Sequence, residues 1–191
     1  MPQKMQYCYI FDCSQGTEKS EGTMPEPLFP MIEHDHDCCV EAAVERAQAL
    51  CQERSVRLTP LREAVLRTLL SSHRALGAYD IIEKLHERGR RLAPISVYRV
   101  IEVLLDTGLV HRLESRNAFF ACLTEHDDTR SLLVLVCEDC TRVAEAEAPE
   151  AWTAIKSLTQ TNSFQVNDTV LEIRGVCADC RDAPGIAARG N

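Results

Sequence analysis

The sequence predicts an α+β protein: an N-terminal winged helix followed by a smaller α/β unit that carries four clustered cysteines. Three observations point there. Apolar residues recur at helical spacing up to about Leu105 and give way to short strand runs beyond it. Proline and glycine stand where helices start and stop. Two Cys-x-x-Cys pairs, Cys137–Cys140 and Cys177–Cys180, each directly follow a strand run. The 191 residues are 45% hydrophobic and 26% charged, an ordinary globular composition with room for one compact domain or two small ones. The longest uncharged apolar stretch, Leu132 to Cys137, is far too short to span a bilayer.

Residues 1–37 are expected to be a flexible extension, because the first thirty show no helical or strand period and are rich in Pro, Gly, Ser and Glu. Tyr7 to Phe11 is too short for the apolar core of a secretory signal, and Met24 and Met31 offer alternative starts. Residues 38–123 are expected to form the winged helix. Val40 to Gln52 is Ala- and Glu-rich and reads as a first helix. Thr59 before Pro60 supplies a cap and a first helical position, after which Leu61, Val65, Leu66, Leu69 and Leu70 share one face. Ala78 to Arg88 repeats the device with Ile81, Ile82 and Leu85 and stops at Gly89. A fourth helix from Pro94 buries Val97, Val100, Ile101, Leu104 and Leu105 and is capped by Gly108. Leu109 to Leu113 and Ala118 to Leu123 then form a hairpin around Arg116-Asn117.

Beyond a hinge at 124–130, residues 131–182 read as strands Leu132–Cys137, Arg142–Glu145 and Ser163–Val176 with a helix at Glu150–Leu158, before a flexible tail at 183–191. So small a unit buries too little apolar surface to be comfortable alone, so metal, dimerisation or both are expected to stabilise it.

The formal charge of −8 argues at first against a nucleic-acid partner, but it is unevenly spread. Residues 1–40 sum to −5, residues 41–117 to +3 and residues 118–191 to −6, and within the middle Arg54 to Arg99 reaches +6. A basic region therefore lies between two acidic ends. Amphipathic helices of this length occur in many folds, and the exposed side of the fourth helix is what favours a winged helix that places this helix in the major groove. With Val97, Ile101 and Leu104 inward, Ser96, Arg99 and Glu102 point out and Tyr98 lies near the margin. Arginine pairs bidentately with guanine, and a tyrosine ring packs on a thymine methyl. Arg57, Arg62, Arg67, Arg88, Arg90 and Arg91 are candidates for phosphate contacts, or simply solvate helix faces.

Two residues between cysteines let both sulfurs face one point, so Cys137, Cys140, Cys177 and Cys180 can complete a tetrahedral thiolate cage, with structural zinc the favoured content. Disulfides fit less well in a chain without a secretory signal, and an iron–sulfur cluster is the other four-cysteine option. His111, Cys122, His126 and Glu145 flank the junction between the halves and suggest a second metal site. A thiolate among imidazole and carboxylate suits zinc; an all-nitrogen-and-oxygen set would leave iron or manganese open. His34, His36, Cys38 and Cys39 form a short His/Asp/Cys tract that reads as a flexible end or a metal-capture tract. Cys51 reads as a packing residue.

From about Val40 to Cys180 the chain resembles the ferric uptake regulator superfamily of bacterial metal-responsive repressors, and within it the zinc uptake regulator branch. The resemblance is carried by Arg57-Leu-Thr-Pro-Leu-Arg62, Gly77-Ala-Tyr-Asp80, Ser96-Val-Tyr-Arg99, Gly108-Leu-Val-His-Arg-Leu-Glu-Ser115, Asn117-Ala-Phe-Phe-Ala-Cys122 and the two cysteine pairs. It implies a homodimer of two-domain chains, with Tyr98 and Arg99 as base-contacting residues, the four cysteines as a structural zinc cage, and His111, Cys122 and Glu145 as regulatory zinc ligands. Where the zinc branch has a histidine seven residues before the first cysteine pair, this chain has Arg130, which leaves His126, Asp127 or Asp128 as the fourth ligand. Iron-type members carry a His-rich cluster before that pair, where this chain has Ser131-Leu-Leu-Val-Leu-Val136, and Cys122 departs from the His/Asp site of peroxide sensors.

The expected function is that of a cytoplasmic, zinc-responsive repressor, not an enzyme, which takes two zinc ions per chain, binds double-stranded operator DNA as a dimer and silences zinc-uptake genes. No membrane and no small-molecule substrate beyond the metal are expected. The alternatives are an iron- or peroxide-responsive regulator of the same superfamily, a thiol-disulfide redox protein using the Cys-x-x-Cys pairs, and a zinc buffer with no DNA role.

Overall fold

The computed structural model describes Phe29 and residues 36–122, 131–146, 148–167 and 169–182. They fall into two compact units divided between Thr124 and Glu125. The expected hinge at 124–130, the tail at 183–191 and most of the N-terminal extension lie outside the described residues.

The first unit contains helices α1 (His36–Glu53), α2 (Pro60–Leu70), α3 (Ala78–Glu87) and α4 (Pro94–Asp106), then strands β1 (Val110–Leu113) and β2 (Ala118–Ala121), joined by a 3-10 turn at Glu114–Arg116. Helix α1 begins at His36, inside the stretch expected to be flexible, and its inner face buries Cys39, Ala43, Val44, Ala47 and Cys51. Thr59 caps α2 by accepting a hydrogen bond from the Arg62 N–H at 3.4 Å, and Pro60 occupies the first position as its fixed φ favours. In α3 the Asp80 carboxylate reaches back to the Gly77 N–H at 2.9 Å.

Helices α3 and α4 end on glycines with positive φ, Gly89 at 80° and Gly108 at 68°. The Arg90 and Leu109 N–H groups then reach back to Leu85 and Leu104, the Schellman closure that satisfies the last carbonyls. Helix α1 closes the same way on Ser55, with φ 56° and Val56 N–H on the Cys51 carbonyl. Side chains from α1 through β2 meet in one core in which Val65, Leu69, Ile81, Leu85, Val97, Ile101 and Leu104 are almost fully buried. Each such Leu or Ile contributes about 1.5–3 kcal/mol.

Strands β1 and β2 pair antiparallel with His111 opposite Phe120, and Asn117 takes the left-handed conformation at the turn. Leu76 bridges Phe119 through two 2.8 Å backbone hydrogen bonds, so the segment before α3 lies along the hairpin. Four helices closed by a hairpin that is tied back between α2 and α3 form the expected winged helix.

The second unit contains β3 (Ser131–Cys137), β4 (Val143–Ala146), α5 (Pro149–Thr161), β5 (Thr169–Gly175) and a short helix α6 (Ala178–Asp182). The sheet order is β4-β3-β5, with β4 antiparallel and β5 parallel to the central strand. The continuous apolar run of β3 suits that central place, with Leu133, Val134 and Val136 all buried. One expectation is corrected. The strand does not begin at Ser163: that residue has φ 51° and closes α5, with Phe164 N–H on the Thr159 carbonyl, and β5 starts at Thr169. After Cys177 the chain turns into α6. Helix α5 buries none of its residues in the chain, and Leu158, Phe164, Val170 and Ile173 are exposed.

Candidate metal centres and nucleic-acid surface

The parallel pairing of β3 with β5 sets Cys137 opposite Gly175, so both cysteine pairs arrive at the same end of neighbouring strands. The first pair turns tightly: Thr141 N–H bonds the Cys137 carbonyl at 3.0 Å, Cys137 N–H bonds the Arg142 carbonyl at 2.9 Å, and Thr141 takes φ 61°. The second runs from the end of β5 into α6, where Arg181 N–H bonds the Cys177 carbonyl at 2.9 Å. The four sulfurs lie within 4.8 Å of one another. Cys140 Sγ and Cys177 Sγ are 3.8 Å apart, and a tetrahedron with zinc–sulfur bonds of about 2.3 Å has edges of about 3.8 Å. Four soft sulfurs with no imidazole or carboxylate among them fit a closed structural zinc site.

The protonation preferences agree with that fit. Burial pushes the Cys137 thiol up, but N–H groups of Cys140, Cys177 and Asp139 and the Cys140 side chain outweigh it and hold the thiol down at about 6. Burial, then the neighbouring sulfurs, push Cys180 up to about 12; burial also raises Cys177. The Cys137 thiolate is favoured, and those of Cys177 and Cys180 are resisted unless a cation shares the site. The favoured thiolate, Cys137, has no exposed surface. A thiol-disulfide enzyme needs the opposite, a low-pKa thiol open to its substrate.

A second ligand pair sits at the base of the wing. His111 on β1 and Cys122, directly after β2, offer ligand atoms within 4.8 Å of each other. His111 is buried, its ring tilted at 46° to Phe120 with centroids 5.6 Å apart. Both backbone groups of Cys122 are held: its N–H donates to the Leu109 carbonyl and its carbonyl accepts from Arg46 Nη2 of α1, each at 3.0 Å. In the other unit, Glu145 is buried on β4 opposite Val134. His126, Asp127 and Asp128 lie outside the described residues, as does His34 and the side chains of His36 and Cys38. Cys39 is buried and disulfide-bonded, which removes it as a ligand in the metal-capture alternative for that tract.

The outer face of α4 differs by one residue from the sequence expectation. Ser96 is half-buried, while Ile95, at 60% exposure, joins Tyr98 at 38%, Arg99 and Glu102 in one outward stripe. Burial of Val97, Val100, Ile101 and Leu104 on the other face sets this phase, and the i, i+3, i+4 spacing from Ile95 was the available signal. Tyr79 on α3 is also exposed, at 73%, and with Ile82, Glu83, His86, Arg91 and Leu92 lines a cavity of about 550 Å³.

The candidate phosphate ligands divide. Arg57, Arg90 and Arg91 are exposed. Arg62 is half-buried and turns its guanidinium onto the Arg57 carbonyl. Arg67 is gripped by Glu41 at 2.6 and 3.0 Å and by Glu63 at 2.7 Å, tying α1 to α2, and the exposed Arg88 donates to Thr68 Oγ1 at 3.3 Å. Arg67 is thus a structural residue rather than a candidate phosphate ligand. No helix among the described residues is long and apolar enough to cross a membrane.

The profile of the Ferric uptake regulator family matches residues 53–174. A zinc uptake regulation protein of Escherichia coli K12 is 33% identical over 135 residues, covering 71% of this chain and 79% of that protein. A peroxide-responsive repressor, PerR, of Staphylococcus aureus USA300 is 27% identical over 146 residues, covering 75% and 95%. Among solved structures, a zinc uptake regulator complexed with zinc and DNA superposes with a TM-score of 0.70 at 32% identity over 74% of this chain and 95% of that one. Holo XcZur gives 0.68 at 33% identity over 74% and 99%. With the profile covering well over half of the sequence and a third of the aligned residues identical to a full-length relative, the chain belongs to the ferric uptake regulator family.

Proposed function

We propose that this chain is a zinc-responsive transcriptional repressor that binds operator DNA as a zinc-loaded homodimer and silences zinc-uptake genes in the bacterial cytoplasm. The observation that carries the reading is the His111–Cys122 pair, a ligand set placed in the same compact unit as the Ile95, Tyr98 and Arg99 stripe. Metal ligands and reading helix therefore belong to one body. A thiolate beside an imidazole selects zinc over iron or manganese. Similarity to a zinc uptake regulator solved with zinc and DNA supports the same choice.

In this reading each chain takes two zinc ions. Cys137, Cys140, Cys177 and Cys180 hold one as a permanent part of the second unit, where it supplies a tetrahedral crosslink and no chemistry. His111 and Cys122 take the other together with Glu145 and a fourth ligand, His126 or one of Asp127 and Asp128, across a hinge at 124–130. Filling that site fixes the first unit relative to the dimerising one, so the two α4 helices of a dimer adopt the half-site spacing of the operator. Tyr98 and Arg99 read base edges, Ser96 supports them from the helix margin, and Arg57 and Arg62 approach phosphates. The exposed apolar residues of α5 and β5 suit burial against a second copy.

The test is a DNA-binding titration in buffered zinc, with a duplex selected from a random-sequence library. Wild type is expected to bind only as zinc rises, and His111→Ala and Cys122→Ser are expected to lose that dependence. Variants as zinc-dependent as wild type refute the site. A titration in ferrous iron or manganese that succeeds where zinc fails selects the iron- or peroxide-type alternative.

A further inference from the structure

Arg142 sits where a lone cation would be costly. The residue is 7% exposed, between the first cysteine pair and β4. Its Nε donates to Cys140 Sγ at 3.2 Å and its Nη2 to Cys177 Sγ at 3.2 Å, so one guanidinium touches a sulfur from each pair. The same Nη2 meets Asp179 Oδ2 at 2.5 Å, from a carboxylate whose side chain is 47% exposed. Its carbonyl accepts the Cys137 N–H, so the backbone of this residue closes the turn that its side chain caps.

We propose that Arg142 is the charge partner of the four-cysteine cage and the residue that makes its zinc slow to leave. The proposal rests on the reading that the cage holds zinc. Four thiolates around one divalent ion leave a net charge of about −2 in a buried site. A buried guanidinium is costly unless it is paired, and neutral thiols are weak acceptors for it. Thiolates are strong ones, and the fork geometry of arginine spans both pairs, as a lysine could not. Each N–H···S bond draws electron density from the sulfur, lowering its nucleophilicity toward protons and electrophiles. Asp179, at the water side, orients the guanidinium.

The experiment uses the full chain loaded with zinc, comparing wild type, Arg142→Met, Arg142→Lys and Asp179→Asn. N-Ethylmaleimide is added and zinc release is followed with a metallochromic dye. The sulfur lone pair adds to the maleimide double bond and the ring carbon takes a proton from water, so the reaction needs no oxidant. Arg142→Met is expected to release zinc about 10- to 100-fold faster than wild type, the range typical for loss of a partner that supports a metal ligand, with Arg142→Lys intermediate and Asp179→Asn nearer to wild type. Mass mapping of early adducts separates charge pairing from general loosening. Labelling is expected to rise most at Cys140, the more exposed of the two sulfurs that Arg142 touches, whereas loosening would raise all four alike.

Release rates of Arg142→Met and Arg142→Lys within about twofold of wild type, or a uniform rise at all four cysteines, overturn the proposal. If the methionine variant does not fold, the lysine variant decides by the same two criteria. Wild type purified in zinc with no ion resistant to desalting would instead overturn the cage reading, and the proposal with it.

Discussion

Replacing Arg46 by methionine should weaken zinc binding at the wing although Arg46 offers the metal nothing. Its Nη2 holds the Cys122 carbonyl at 3.0 Å, and the Cys122 N–H is held separately by Leu109. Methionine keeps most of the apolar stem and removes the donor. A hydrogen bond from a charged donor is worth about 1.5–3 kcal/mol, and Arg46 is half-buried, so solvent screening reduces this to about 1 kcal/mol. If that bond is what orders Cys122 before the metal arrives, the affinity of the exchangeable zinc should fall about fivefold, since about 1.4 kcal/mol corresponds to tenfold. The assay is competition against a fluorescent zinc chelator after one equivalent has filled the cysteine cage, with His111→Ala as the reference for complete loss. A circular-dichroism melt checks that α1 remains docked. An affinity unchanged within about twofold, with the fold intact, would refute the idea that α1 positions the ligand.

Arg99→Ala should cost about 1–3 kcal/mol of operator affinity and relax preference at one base position, measured by fluorescence anisotropy on single-base variants. Ile95→Glu, which adds a negative charge to the outward stripe of α4, should weaken binding to every duplex tested; unchanged binding would mean that this end of the helix stays clear of DNA. Ser163→Gly and Ser55→Gly, at positions with φ 51° and 56°, should each raise stability by up to about 1 kcal/mol in a chemical melt, because glycine enters that region without a Cβ clash. Ile173→Asp, on the exposed edge strand β5, should shift sedimentation from dimer toward monomer without loss of cage zinc.

Much of the first unit was legible because its punctuation is local. Thr59-Pro60, Pro94 and Gly108 act on their own neighbours, and the predicted starts of α2 and α4 coincide with the observed ones. Less legible were positions whose residue type hides a local role and positions placed by tertiary pairing. Ser163 resembles a strand residue in a row of polar and apolar neighbours, yet it is needed in a left-handed conformation to close α5. Ile95 lies in the outward stripe although its side chain is apolar, so residue type alone does not place it there; its i, i+3 and i, i+4 spacing to Tyr98 and Arg99 does. Arg142 looked like the charged start of a strand; its place over two sulfurs depends on β5 returning parallel to β3, which no local pattern announces. The four clustered cysteines were readable because their spacing alone implies a shared centre, whereas Arg130 stands at the spacing expected for the fourth regulatory ligand and His126, Asp127 and Asp128 all lie off it.

The parallel alignment of β3 and β5 also bears on how the second unit acquires its structure. Parallel strands must wait for a long crossover to close, and closing a loop between Cys140 and Cys177, 37 residues apart in sequence, costs about 3 kcal/mol of chain entropy before any ladder bond forms. A metal ion that captures both cysteine pairs early ties the loop at its base and leaves β5 only a short search for its register. Zinc would then govern how quickly a nascent chain becomes competent, as well as how firmly the finished one holds together. Chains refolded with zinc present should reach the native sheet sooner than chains given zinc afterwards.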